Sequence, residues 1–305
     1  MQTSEAIGSF LLTCQADGLK PRTVETYLHR LERFNKRFGT QEIATLTLKN
    51  IRDYSANLYK QGLSIHTIHG HLRTLRRFYK WLTEEELVEE NLARRVRLPR
   101  LPENPPKAIS MDNLRRLLKN AHENGAEWER RRNVAILLFL IDTGCRLNGL
   151  VELKLEDIDF EQRRAKVCEK NDRWRFVFLK EPVMKALLRW LEVRTTLLTD
   201  PEVTAVWIGR NGRALSKGGT QSLLKRLKNR AGLKGHTGAH SFRHRFAITY
   251  LLNGGDLATL ANLLGHRDSE TTTKYYARFE IGELQEKHDQ FSPVNNLPTE
   301  SITED

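Results

Sequence analysis

Residues 240–276 read HSFRHRFAITYLLNGGDLATLANLLGHRDSETTTKYY, and this stretch decides how the second half of the chain is built. His240 and Arg243 stand three residues apart, so a helix places them on one face. Phe242, Phe246 and Tyr250 repeat every four residues along another face, and Gly254-Gly255 ends the pattern. Asp256 can cap a short helix that carries Leu257, Leu260, Leu263 and Leu264, which Gly265 stops, leaving His266 at the turn. Asp268 or Ser269 can cap a third piece, TTTKYYARF, that presents Tyr275. Three successive short helices then bring two histidines, an arginine and a phenol together. Basic donors around a phenol suit a phosphodiester.

Upstream, Ser110 can cap the helix MDNLRRLLKNA, and RNVAILLFLIDT (132–143) reads as an apolar helix broken by Gly144. CRLNGLVELKLEDIDF follows as a short helix opened by Arg146. Taken alone, an arginine after a buried helix is as readily a salt-bridged structural residue. Next come two strands, Arg164 to Glu169 and Arg173 to Leu179, joined by Lys170, Asn171 and Asp172. Lys170 sits at the tip, where it either reaches outward or is simply solvated. AVWIG (205–209) reads as a third strand. The turn at Asn211-Gly212 leads to a helix bearing Lys225, Arg226, Lys228 and Arg230. The expected class is mainly α with a small antiparallel sheet, and residues 108–291 form its α+β unit.

Residues 1–97 read as all-helical. Ile7, Leu11 and Leu12 mark the first helix. Thr23 can cap a second that buries Val24, Tyr27, Leu31 and Phe34 and stops at Gly39. A third runs from about Leu48 to Tyr59, and Ser64 opens a fourth with Ile68, Leu72, Leu75 and Phe78 or Tyr79 inward. The other face of that fourth helix carries His66, His69, Arg73, Arg76, Arg77 and Lys80, with no acid before Glu84. A solvated polar face is the bland reading, and phosphate contact is the functional one. Residues 98–107 form a linker in which Pro99, Pro102, Pro105 and Pro106 deny a helix. Residues 292–305 are expected to be disordered.

The chain has 305 residues and a formal net charge of +12, which favours a polyanionic partner. Cys14, Cys145 and Cys168 are odd in number and scattered, so reduced core thiols are expected rather than disulfides or a zinc site. No signal-like core and no apolar run near ~20 residues is found, so a soluble cytoplasmic protein is expected.

Together these motifs resemble the tyrosine recombinases, the family of phage integrases and Xer-type site-specific recombinases. The resemblance spans about residues 5–280. It rests on Thr143-Gly144-Cys145-Arg146, on Lys170 of the hairpin, and on His240 with Arg243 in an HxxR motif. Leu264-Gly265-His266 and Tyr275, nine residues beyond that histidine, complete it. It implies a four-helix core-binding domain and a catalytic domain that clamp double-stranded DNA. The helix 64–82 and the linker would line that clamp.

By the same resemblance, Arg146, Lys170, His240, Arg243, His266 and Tyr275 are the catalytic set. A phenol titrates near ~10, so Tyr275 attacks phosphorus only if the site takes its proton and stabilises the anion. Arg146 and Arg243 would hold the non-bridging oxygens, and Lys170 would protonate the departing 5′ oxygen. His240 and His266 would manage the Tyr proton. No ATP, metal or other cofactor is expected, since neither a Walker-type loop nor a carboxylate cluster for Mg²⁺ is found. The implied assembly is a tetramer on two specific DNA sites, with the need for a second recombinase or accessory protein open.

The chain also departs from the family. Gly149 stands where relatives commonly carry an acid that braces the Arg146 loop, so Arg146 is expected to be less firmly oriented unless Glu152 or Asp142 substitutes. The family's Asn-Pro before the linker is Asn91-Leu92 here. A helical tail, RFEIGELQEKHDQF, is expected to dock either on a neighbouring protomer or on its own domain. Two other readings are a DNA-binding relative that has lost catalysis and a type IB topoisomerase.

Overall fold

The computed structural model describes residues 1–102, 107–169 and 173–265. The chain divides into two compact units, residues 1–104 and 105–305.

Four helices build the first unit: α1 (Thr3–Ala16), α2 (Pro21–Phe38), α3 (Leu48–Lys60) and α4 (Ile65–Glu84). Helix α2 starts at Pro21 with Lys20 as its cap. The cap expected at Thr23 is overturned, because proline at the first helical position has its φ preset and no N–H to satisfy. Thr47 and Asn50 form a reciprocal capping box on α3, and Ser64 accepts the Thr67 N–H at the start of α4. Apolar faces meet in an aromatic core. Phe10 packs on Phe78 at 5.4 Å between ring centroids, and Phe34 meets Tyr54 edge-on at 5.1 Å. Phe78 and Tyr79 both point inward.

The second unit wraps around α6 (Glu127–Thr143), whose Ile136, Leu137, Phe139 and Leu140 are fully buried. A helix buried on every side has no amphipathic stripe, which explains its near-continuous apolar run. Around it lie α5 (Met111–Glu123), α7 (Leu147–Val151), α8 (Glu181–Leu197), α9 (Lys217–Arg230), α10 (Ala239–Leu252) and α11 (Leu257–Leu264). The sheet is antiparallel, in the order β1 (Ile158–Asp159), β2 (Arg164–Glu169), β3 (Arg173–Phe178).

The third strand is therefore Ile158–Asp159, not residues 205–209. Val206, Trp207 and Ile208 are all buried, and the segment makes only isolated bridges, Lys154 with Ala205 and Ile208 with Ala214. It is a pinned loop: its carbonyls accept from Trp190 Nε1 at 2.9 Å and from Arg194 and Arg132. The helix expected from Cys145 onward is correspondingly short and gives way to β1.

Pairing Val167 with Arg175 and Cys168 with Trp174 sets the faces of the hairpin. Ala165, Val167 and Glu169 face inward with Arg175 and Val177, while Trp174, Phe176 and Phe178 are exposed. Arg164 lies over the Phe176 ring at 4.6 Å and Lys166 over Trp174 at 5.0 Å, so cations cover part of this aromatic face.

Candidate active site

Helix α6 ends at Gly144, which adopts the left-handed conformation (φ 55°). A Cβ there would lie 2.8 Å from the Phe246 ring and 3.1 Å from Leu264, so both backbone and space require glycine. The sharp turn buries Cys145 and carries Arg146 to the cap of α7. Burial pushes the Cys145 thiol up to about 11, as suits an inert core thiol. Cys14, Cys145 and Cys168 are all free and buried.

From α10, Arg243 reaches back under this turn. Its guanidinium donates to Gly144 O at 2.8 Å and to Leu264 O at 2.6 Å. It thus ties the Arg146 loop to the end of α11, one residue before the Gly265 stop, whose φ is 64°. Asp256 caps α11 by accepting the Thr259 N–H at 2.8 Å.

Glu169, at the inner end of β2, joins these pieces. Its carboxylate accepts from Arg146 Nη1 and from Arg175 Nε, the latter at 3.0 Å, and lies 3.8 Å from Arg243 Nη1. Burial alone would raise the pKa of Glu169. The Arg146 hydrogen bond and the charges of Arg175, Arg146 and Arg243 outweigh it, and hold the carboxyl below its usual range. Arg175 also donates to Leu263 O, so β3 is fastened to α11 as well.

His240 lies exposed at the start of α10. The protein packed around it, then the charges of Arg243 and Arg146, depress its pKa, while Glu169 opposes them. These surroundings favour the neutral imidazole, the form able to accept a proton.

Three of the six predicted site residues, Arg146, His240 and Arg243, thus come together. Lys170, His266 and Tyr275 lie outside the described residues. The loosely oriented Arg146 expected from Gly149 is overturned, since Arg146 is paired with Glu169, although neither Asp142 nor Glu152 supplies the brace. Asp142 accepts the Lys180 N–H at 2.8 Å, and Glu152 pairs with Lys217 at 3.3 Å. Glu169 does that work instead. Its signal was strand alternation, which places residue 169 on the buried face with Ala165 and Val167.

On the first unit, His66, Arg73, Arg77 and Lys80 are exposed on α4, and Lys80 pairs with Glu84 at 2.9 Å. Arg76, expected among the phosphate-facing cations, is committed elsewhere. It donates to Ala93 O at 3.2 Å, Arg94 O at 3.3 Å and Val96 O at 2.7 Å, and so fastens the chain after α4. His71 is buried with Nδ1 3.0 Å from Arg30 O.

Residues 107–280 match the phage integrase family, and residues 7–89 match the phage integrase N-terminal SAM-like domain. Tyrosine recombinase XerC of Alcanivorax borkumensis is 34% identical over 292 residues, covering 95% of this chain and 94% of the relative. The chain belongs to the phage integrase family. It is a tyrosine recombinase of the Xer type, a site-specific enzyme that breaks and rejoins DNA. XerC of Haemophilus influenzae is 29% identical, covering 90% of this chain and 92% of the relative.

Among solved recombinases, the Tn1549 transposon integrase in complex with circular intermediate DNA superposes with a TM-score of 0.78 at 18% identity, covering 96% of this chain and 100% of that one. XerH bound to its difH substrate gives 0.74 at 20% identity, covering 96% and 85%. These two establish the shared fold. A non-catalytic relative and a type IB topoisomerase are not favoured.

Proposed function

We propose that this recombinase cleaves double-stranded DNA by attack of the Tyr275 phenol on a backbone phosphorus. A Tyr O–P bond forms and the P–O5′ bond breaks, leaving a 3′-phosphotyrosine and a free 5′-hydroxyl. The Tyr proton passes to a neutral histidine, His240 or His266, and Lys170 supplies the proton that the departing 5′ oxygen takes up. Arg146 and Arg243 hold the non-bridging oxygens while charge develops on them. Because the ester bond energy is retained, a 5′-hydroxyl from a second strand reverses the chemistry and reseals the DNA.

The observation that carries this reading is the cluster of Arg146 and Arg243 around Glu169 with His240 beside them, drawn from separate stretches of chain. Relatives crystallised on DNA support duplex DNA as the partner. His66, His69, Arg73, Arg77 and Lys80 of α4 would meet its phosphates. Residues 1–97 would serve as core-binding domain and 108–291 as catalytic domain. The working assembly is a tetramer on two sites in the cytoplasm. No described helix is long and apolar enough to cross a membrane.

The test is covalent capture. The protein is expressed in cells, purified under denaturing conditions, and the DNA still attached is sequenced. The wild type should carry DNA sharing one sequence, and Tyr275→Phe should carry none. Attached DNA on Tyr275→Phe would refute the assignment.

A further inference from the structure

Gly149 lies against the strand residues just before Glu169. Gly149 is buried in α7, and a Cβ built there would lie 3.2 Å from Cys168 O and 3.2 Å from Val167 Cβ, the two residues that lead into Glu169. Position 149 thus points at the base of the strand end whose carboxylate gathers Arg146, Arg175 and Arg243. A side chain at 149 would have to share that space.

Glu169 itself is 6% exposed. A carboxylate so deeply placed is costly unless compensated. Here three guanidinium groups from the α6–α7 turn, β3 and α10 compensate it. Arg146 and Arg243 share this one carboxylate. Without a shared counter-charge their like charges repel, and the Arg146 loop has no anchor on the sheet. The Glu169 oxygens divide the work: one accepts from Arg146, while the other accepts from Arg175 and faces Arg243.

We propose that Glu169 is the positioning residue for the Arg146–Arg243 pair, and that it delivers from β2 the carboxylate that an acid at position 149 would otherwise deliver from α7. The acid has changed elements while its destination stays the same. This inference rests on the functional reading above, since it concerns how the proposed phosphate-binding pair is held. Glu169 touches arginines, so its effect on cleavage is exerted through them.

The experiment uses the full-length protein and a nicked duplex carrying the site recovered from wild-type adducts, on which cleavage is trapped. Non-covalent affinity and the rate of covalent complex formation are measured separately. Glu169→Gln keeps shape and removes the charge. It should bind the duplex within about threefold of wild type but form adduct about ten- to a hundredfold more slowly. Glu169→Asp, which keeps the charge, should recover part of that loss. The exchange Gly149→Glu with Glu169→Gly should react faster than Glu169→Gly alone.

Adduct formation by Glu169→Gln at the wild-type rate would overturn the proposal. So would equal losses in Gln and Asp variants, or a parallel loss of affinity and rate, which marks a merely structural role. An exchange variant no better than Glu169→Gly would overturn the equivalence of the two positions. Should wild type itself yield no adduct in cells, the functional reading fails; wild-type-like Glu169 variants beside an inert Tyr275→Phe sink this inference alone.

Discussion

His240 and His244 stand one turn apart on α10, and both are held below the ordinary imidazole value of 6.5. For His244 burial is the main cause, followed by His240 and Arg243, and the value falls to about 4. The unfolded chain therefore takes up the proton first. The His244 contribution to stability should be complete above about pH 6.5 and be lost as pH drops toward 4, a loss on the order of 2 kcal/mol once solvent screening of the partly exposed ring is discounted. Denaturant midpoints measured across that range should show the slope, and His244→Gln should flatten it. An unchanged slope in that variant would locate the effect elsewhere. Residue-scale reasoning from the sequence picked out Arg146, His240 and Arg243, which the structure places near one another, because each sits in a short motif. It missed Glu169, because an acid beside a turn reads as solvated until alternation along β2 is followed to its end. Only the three-dimensional pairing reveals that Glu169 meets arginines 23 and 74 residues away along the chain from 169 to 146 and 243.

Elements were legible where local chemistry decides them. Ser64, Ser110 and Asp256 each cap the helix that their position predicts, and Gly265 stops α11 in the left-handed conformation. Such contacts need nothing from distant chain. Residues 205–209 were misread because their apolar run is buried by α6 and α8 rather than paired in a ladder, which periodicity alone cannot separate. Helix α4 mixes both cases. Its charged face was visible, yet Arg76 on that face is spent on three carbonyls of residues 93–96. Arg76→Ala should accordingly destabilise the helical unit by about 1–3 kcal/mol, while leaving the salt dependence of DNA binding nearly unchanged. Arg73→Ala and Arg77→Ala should do the reverse, each lowering the salt slope by about 1 with little change in melting temperature. Thermal melts and binding titrations at several salt concentrations separate the two. A reduced slope in Arg76→Ala would return that residue to the DNA-facing set.

Across the whole molecule, a charge of +12 and two compact units agree with a protein that grips a polyanion. Charge alone is unspecific; the family match over both units is what gives it meaning. The proposed chemistry is the exchange of a DNA ester for a protein ester on a single phenol. Tyr275 and Tyr276 are adjacent in the sequence, and the proposed attack is assigned to Tyr275 alone. The most direct measurement is mass spectrometry of the proteolysed covalent adduct, which identifies the residue bearing the nucleotide. Nucleotide on Tyr275 is the predicted result. Nucleotide on Tyr276, or on any other side chain, would contradict the account.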